Sequence, residues 1–385
     1  MIDKEAAELR RRFRPDRTNI RKIYGCYVGT NGTLMAKFSQ SFGLMPEDEQ
    51  EKYLNLLKKS LSGSIGRTLS DIRFSTAQVA DSDEHRLLMR LRNTQLGDEK
   101  AVETLCEKIA KSLSLDTNYL ILLGAEVYDV PFRSRDDEEQ EDSGDTQFSY
   151  IVCAICPVKE TKPNLRYDAA EKIFCNQGTQ YIVSAPETGF LFPAFDDRAA
   201  NIYGALYYVR SSAASYDALV DAVFHIEKPP VAVKAQKAQF TDVLTESFAE
   251  ECSAEVVQTV HTRLRDLVQL HKEAKDPEPL RVTPAQVNLV VENCGLSEKS
   301  KASFRVNYEK TFGADSAVPP QNLLDAKKLE YKLPDVIIKV APDRQDLIET
   351  RVIDGVEYVL IRADEGVEIN GVPVKISCQC SVDSG

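Results

Sequence analysis

Apolar and polar positions along this chain fall into two kinds of pattern. Between Tyr119 and Arg210 the sequence is a string of short runs rich in Val, Ile, Leu, Tyr and Phe, each ending at Pro, Gly or Asp. That is the signature of closely spaced β-strands. The runs Tyr119–Leu123 and Tyr150–Ile155 are continuously apolar rather than alternating, which predicts central strands buried on both faces. Before this block the apolar residues recur mostly at helical spacing. Residues 3–14 put Leu9 and Phe13 on one face with Asp3 as N-cap, and Pro46 opens a helix to about Leu61. Ser82–Gln95 and Asp98–Ser112 add two more helices. Asn31-Gly32, between Thr18–Val28 and Thr33–Phe42, predicts a hairpin, because both turn residues need positive φ.

Tyr216–Phe224 reads as a short helix, and after Pro229-Pro230 the chain turns helical again. Gln239–Cys252 and Ala254–Lys272 are the next helices, with Val256, Val257, Val260, Leu264, Leu267, Val268 and Leu270 as an apolar stripe. Lys275–Pro279 is a linker signature. Thr283, Pro284 and Gln286 then form a capping box opening a further helix, and Ser297–Phe312 packs back on it. From Pro334 the period changes to two: Val336–Val340, Arg351–Ile361 folded at Asp354-Gly355, and Gly366–Ile376 folded at Asn370-Gly371. The expected fold is α+β. A mixed domain around a mainly antiparallel sheet covers residues 1–230. A helical segment covers 235–320, a small β-hairpin module 321–376 and a flexible tail 377–385.

Composition narrows the function class. The chain has 385 residues, 43% hydrophobic and 28% charged, as a soluble globular protein has. It contains no run of about 18 apolar residues, which excludes a transmembrane helix. The first residues, MIDKEAAELRRRFR, lack the apolar segment of a secretory signal. Nine irregularly spaced Cys point to reduced thiols and a cytoplasmic location. The net charge of −12 argues against whole-surface binding to nucleic acid or anionic membrane, and no DNA-binding signature occurs. One local exception is the N-terminal helix, where Arg10, Arg11, Arg12 and Arg14 could form a phosphate-binding edge or simply a solvated, ion-paired face. The acidic run Asp136–Asp145 reads as a surface loop, since its spacings do not match a calcium loop.

Chemistry-bearing residues are few. Cys153 and Cys156 form a CxxC, but inside a predicted strand, where residues three apart point to opposite faces; buried structural thiols fit better than a redox pair. Cys378 and Cys380 are too weak a partner for a zinc site. Gly63-Ser64-Ile65-Gly66 follows a helix instead of opening one, which makes it a turn and not a phosphate cradle. The densest polar stretch is Ala185–Arg198. Glu187, Asp196, Asp197 and Arg198 at its ends, with Asp129 from Tyr128-Asp129-Val130-Pro131 facing them, could hold a divalent cation or an anion. The alternative is a sheet-edge turn in which Arg198 pairs locally.

Gly25-Cys26-Tyr27-Val28, Leu61-Ser62-Gly63, Tyr119–Leu123 with Tyr128–Pro131, Cys153–Val158, Ala185–Arg198 and Ala363–Val372 occur in this order. Together they resemble a family of bacterial proteins of unknown function, mostly from Gram-positive anaerobes. The resemblance spans the chain to about Val374 and implies a cytosolic bacterial protein of one architecture. It brings no catalytic residues, and the tail after Ile376 departs from the family pattern. Two function classes therefore stand. One is a non-catalytic binding or scaffold protein recognising a macromolecule, protein or RNA, through the N-terminal arginines. The other is a metal-dependent hydrolase or transferase for a phosphoester-type substrate. That enzyme would use Asp129, Glu187, Asp196, Asp197 and Arg198, and it requires them to meet in one cleft.

Overall fold

The structure, a computed structural model, describes all residues except 134–138, 141–145, 227, 277, 293, 315, 325–328, 342–343, 365, 370 and 375–385. Most of the acidic run and both tail cysteines lie outside the described residues. The chain divides into two compact units, Met1–Ala238 with Lys275–Leu280, and Gln239–Ala274 with Arg281–Gly385.

The first unit is built on an eight-stranded sheet. Its strands are β1 (Lys22–Val28), β2 (Leu34–Ser41), β3 (Leu69–Arg73), β4 (Tyr119–Val130), β5 (Thr146–Thr161), β6 (Gln180–Val183), β7 (Thr188–Phe192) and β8 (Gly204–Val209). They lie in the order β2-β1-β4-β5-β7-β8-β3, with β6 beside the far end of β5. Every neighbouring pair is antiparallel. The long central strands β4 and β5 are apolar throughout because both their faces are covered. Ile121, Leu123, Ile151, Cys153 and Ile155 face α4 (Asp83–Asn93), α5 (Glu99–Ser112) and α6 (Asp217–Phe224). Leu120, Leu122, Tyr150, Val152 and Cys156 face α1 (Asp3–Arg12) and α2 (Glu47–Lys59). Helices on both faces of one antiparallel sheet make the unit α+β.

Local differences from expectation have local causes. Asp3 is not the N-cap: Ile2 stands there and Asp3 is the first helical residue, its carboxylate accepting from the Ile65 amide at 2.8 Å. Glu5 takes over the start of the helix, its Oε2 accepting from the Ile2 amide at 2.7 Å. The apolar pattern does not announce β3, a short strand with polar positions at the sheet edge. It also hid the helix α3 (Thr76–Asp81), which is opened by a reciprocal Ser75–Gln78 capping box. Gly63 and Gly66 both have positive φ (+96° and +83°), as a turn requires.

Helix α7 (Val233–Phe248) starts in the first unit and ends in the second, six residues earlier than the pattern suggested. The second unit packs α8 (Ala254–Ala274), α9 (Pro284–Glu292), α10 (Glu298–Phe312) and α11 (Pro320–Leu323) around Phe248, Leu264, Val287, Phe304 and Tyr308. Thr283 and Gln286 cap α9 reciprocally, the Thr283 amide donating to Gln286 Oε1 at 2.9 Å. Three hairpins follow: Leu329–Lys332 with Ile337–Val340, Ile348–Ile353 with Val356–Ile361, and Val367–Ile369 with Val372–Val374. Asp354 and Gly355 turn the middle one with positive φ at both positions. Among the described residues no helix is long and apolar enough to cross a membrane.

Candidate functional site

The sequence singled out the N-terminal arginines and the Ala185–Arg198 carboxylates as separate possibilities. The structure places parts of both in one buried, charged layer between α1 and the sheet. Helix α1 lays one stripe on the sheet, Glu5, Glu8, Leu9, Arg12 and Phe13, which is i, i+3, i+4 spacing. Arg12 donates from Nε (3.0 Å) and Nη2 (2.7 Å) to Glu126 Oε1. The Asn19 amide also donates to that oxygen at 3.0 Å, and the Tyr150 hydroxyl to Oε2 at 2.6 Å. Glu126 is wholly buried, so these four donors are what make its charge tolerable inside the fold. The Arg12 guanidinium also lies 4.8 Å from the centre of the Tyr128 ring.

Arg198 belongs to the same layer. It donates from Nη1 to Glu8 Oε2 at 2.6 Å and from Nη2 to the Pro131 carbonyl at 2.7 Å. Glu8 Oε1 accepts from the Tyr128 hydroxyl at 2.8 Å. Burial first, and then this carboxylate, push the Tyr128 hydroxyl well above the ordinary phenol range. Tyr128 and Pro131 therefore do face the Ala185–Arg198 segment, with the Tyr128 and Phe195 rings 6.2 Å apart.

The five candidate site residues do not converge. Asp129 lies on the other face of the sheet from Tyr128, exposed, with its carboxylate accepting from Gln147 Nε2 at 2.9 Å. Glu187 precedes β7 and Asp196 follows it, so a strand of five residues, roughly 17 Å long, separates them. Glu187 instead meets Tyr216 (3.4 Å) and Arg210 (3.9 Å). Asp196 accepts from the Met1 ammonium at 3.0 Å, the main cause holding it below the usual carboxylate range, and from Asn201 at 3.1 Å. Asp197 and Arg198 are the two central residues of a tight hairpin turn (φ 50° and 57°) pairing Asp196 with Ala199. Among the described residues no three His, Cys, Asp or Glu side chains gather as metal ligands would.

The four arginines separate likewise. Arg12 is consumed internally, and Arg10 donates to the Gly63 carbonyl at 3.2 Å. Arg14 pairs with Asp16 at 3.3 Å in solvent, and Arg11 is exposed. The Gly63–Gly66 turn is accordingly spoken for, with its Ile65 amide held by Asp3. Cys153 and Cys156 point into opposite layers, and burial pushes both thiols up, Cys156 to about 12. Such burial suits structural thiols rather than nucleophiles. A cleft of about 850 Å³ at one end of the sheet is lined by Asn19, Arg21, Lys22, Gln95, Asp129 and Gln147. Its lining offers amides, one carboxylate and the two cations Arg21 and Lys22, which suits reversible polar contacts more than proton transfer.

The surface feature that the sequence did not signal lies beyond β5. A ribbon of Asn164–Asp168 paired with Ile173–Gln177 leads into β6. Tyr167 sits opposite Phe174 on one face, their rings 5.3 Å apart, with Leu165 next in line. Leu165 is 72% exposed and Phe174 70%. Ile173, Tyr167, Tyr181, Ile182 and Val183 are exposed too, while Lys159, Lys162, Arg166 and Lys172 are spread among them. By its sequence the stretch between Val158 and Tyr181 reads as a loop, and the structure corrects this to a strand pair, since the short runs there lack the continuous apolar pattern of the central strands.

Residues 1–372 match the family model described as "Domain of unknown function (DUF4317)", and the chain belongs to that family. No curated protein matches the chain.

Proposed function

With membership of this family as the premise, we propose that the protein is a bacterial, cytoplasmic, non-catalytic binding protein that recognises a protein partner through the 164–183 ribbon. The observation that carries this is the run of seven exposed large apolar side chains from Leu165 to Val183. Strand alternation divides them between the two faces of the ribbon, and exposed apolar surface of this extent gains free energy only when covered. The charges among them are mixed, Lys159, Lys162, Arg166 and Lys172 with Glu160, Asp168 and Glu171, as on the polar rim of a protein interface. Seven free cysteines among the described residues agree with a reducing compartment. The basic N-terminal helix contributes little to this function, since Arg12 and Arg10 are used within the fold.

The test is affinity capture with the full chain beside a Leu165→Asp/Phe174→Asp variant and a separate Arg11→Glu/Arg14→Glu variant. The expected result is a protein retained by the wild type and by the arginine variant and lost with the ribbon variant. Equal capture by all three overturns the ribbon as the contact. Capture abolished by ribonuclease, or an absorbance ratio showing co-purified nucleic acid, replaces protein by RNA as the partner.

A further inference from the structure

Among the described residues, one pair of thiols is arranged differently from the others. Cys26 on β1 and Cys106 on α5 bring their sulfurs into hydrogen-bond contact at 2.7 Å, 80 residues apart in sequence. The pair is set by periodicity on both sides. On β1, Tyr24, Cys26 and Val28 alternate towards the helical layer, and on α5, Glu99, Val102, Glu103 and Cys106 form one face towards β1 and β2. Lys37 sits opposite Cys26 across the strand pair and is ion-paired with Glu103. A pocket of about 240 Å³ opens beside the pair, lined by Tyr24, Cys26, Lys37, Phe38, Glu99 and Glu103. Cys106 lies behind Cys26 and is wholly buried.

We propose that Cys26 and Cys106 are a peroxide-reactive dithiol that closes reversibly to a disulfide, Cys26 being the attacking thiol and Cys106 the resolving one. The pocket supplies a path for a small oxidant to Cys26 alone. The contact with Cys106, and then the nearby Lys37 ammonium, hold the Cys26 thiol below its ordinary range, while the same contact and burial push Cys106 up. Once Cys26 is ionised only Cys106 has a proton to share, so the two roles are distinct.

With hydrogen peroxide, the Cys26 thiolate attacks one oxygen. An S–O bond forms, the O–O bond breaks, and the hydroxide released takes a proton and leaves as water. The Cys106 sulfur then attacks the Cys26 sulfenic sulfur. An S–S bond forms, the S–O bond breaks, and the hydroxide leaves with the Cys106 proton as a second water. Two thiols are oxidised and one peroxide is reduced to two waters. A small thiol such as glutathione restores the pair by exchange. The bond ties β1 to α5 and so makes that layer sensitive to the redox state of the cell.

The test is peptide mapping of the native full chain after brief peroxide treatment and alkylation. The expected product is a single cross-linked peptide pair joining Cys26 to Cys106, lighter by two hydrogen atoms and lost on addition of dithiothreitol. Cys153→Ala should leave its yield unchanged, and Cys106→Ser should leave Cys26 as a sulfenic acid trapped by dimedone. Recovery of both Cys26 and Cys106 as alkylated free thiols overturns the proposal. So does over-oxidation of Cys26 to the sulfinic acid in the wild type while Cys106 stays free.

Discussion

The two faces of the central sheet are covered by helices to the same depth, but by different chemistry. The α4–α5–α6 side is filled with Leu, Ile, Val, Phe and thiols. The α1–α2 side has a comparable apolar core with a layer of charge let into it: Arg12 with Glu126, Arg198 with Glu8, and Tyr150 and Tyr128 closing the two carboxylates. An apolar layer tolerates many arrangements of similar volume. A buried charge tolerates only the partners that satisfy it. The charged face therefore fixes where α1 docks and in which rotation, and the apolar face supplies bulk stabilisation.

Breaking one partner on the charged face should have the largest effect on stability. Arg12→Ala leaves the buried Glu126 carboxylate with two of its four donors, and should cost about 3–5 kcal/mol in urea unfolding. Since the chain has no Trp, the transition is followed by tyrosine fluorescence. The double variant Arg12→Met/Glu126→Gln should recover much of that loss, because no unpaired charge remains inside. A loss below about 1 kcal/mol for Arg12→Ala would place Glu126 in contact with water. On the other face Ile109→Val, a single methyl removed from a fully buried site, should cost about 1 kcal/mol, and no second substitution in a polar partner should rescue it.

Much of the fold was legible in the sequence but this contrast was not, and what was missed has physical reasons. The runs Tyr119–Leu123 and Tyr150–Ile155 announce central strands because burial on two faces suppresses alternation. Thr283-x-x-Gln286 and Asp354-Gly355 are local chemistry that tertiary packing does not override. The role of Arg12 is different. It follows from helical phase, since Arg12 shares a stripe with Leu9 and Phe13 whereas Arg11 does not. The lone Glu126 inside an apolar strand was the complementary signal. Counting arginines without their phase hid both. The Asp197-Arg198 turn was legible as the alternative to a site, but its partner was not: Arg198 pairs with Glu8 and not with a neighbouring Asp, and its left-handed backbone runs against turn preferences. It is held there by contacts from Glu8, Glu5 and Pro131, two of them nearly 200 residues away. The exposure of the 164–183 ribbon is likewise a tertiary fact.

Tyrosines report the two faces separately at high pH. Tyr119 sits on the apolar side, its hydroxyl donating to the Leu113 carbonyl, and burial alone pushes it to about 12. Tyr150 and Tyr128, on the charged side, are raised by burial and by the carboxylates they bond. A raised value in the folded state means that the contribution of Tyr119 is fully present below its unfolded value of about 10. It is then lost as pH rises through about 12. Stability should thus fall across that window, with tyrosinate absorbance at Tyr119 lagging behind that of exposed Tyr. Tyr119→Phe should flatten the decline without moving the Tyr150 signal. If Glu126→Gln lowers the alkaline midpoint of Tyr119 as well, the two faces are electrostatically linked through the sheet and their separation fails.

The smallest effect should come from the arginines that first drew attention. Arg14 pairs with Asp16 in solvent, where long side chains lose as much in ordering as they gain in attraction. Reversing Arg11 and Arg14 to Glu should therefore shift stability by no more than a few tenths of a kcal/mol. It should also leave partner capture unchanged. The comparison with Arg12→Ala is then internal to one short stretch at the end of α1, with the same residue type and positions one or two apart but consequences about tenfold apart. A large loss on reversing Arg11 and Arg14 would show that α1 is read by something outside the fold. The charged layer would then orient the helix for recognition as well as for packing.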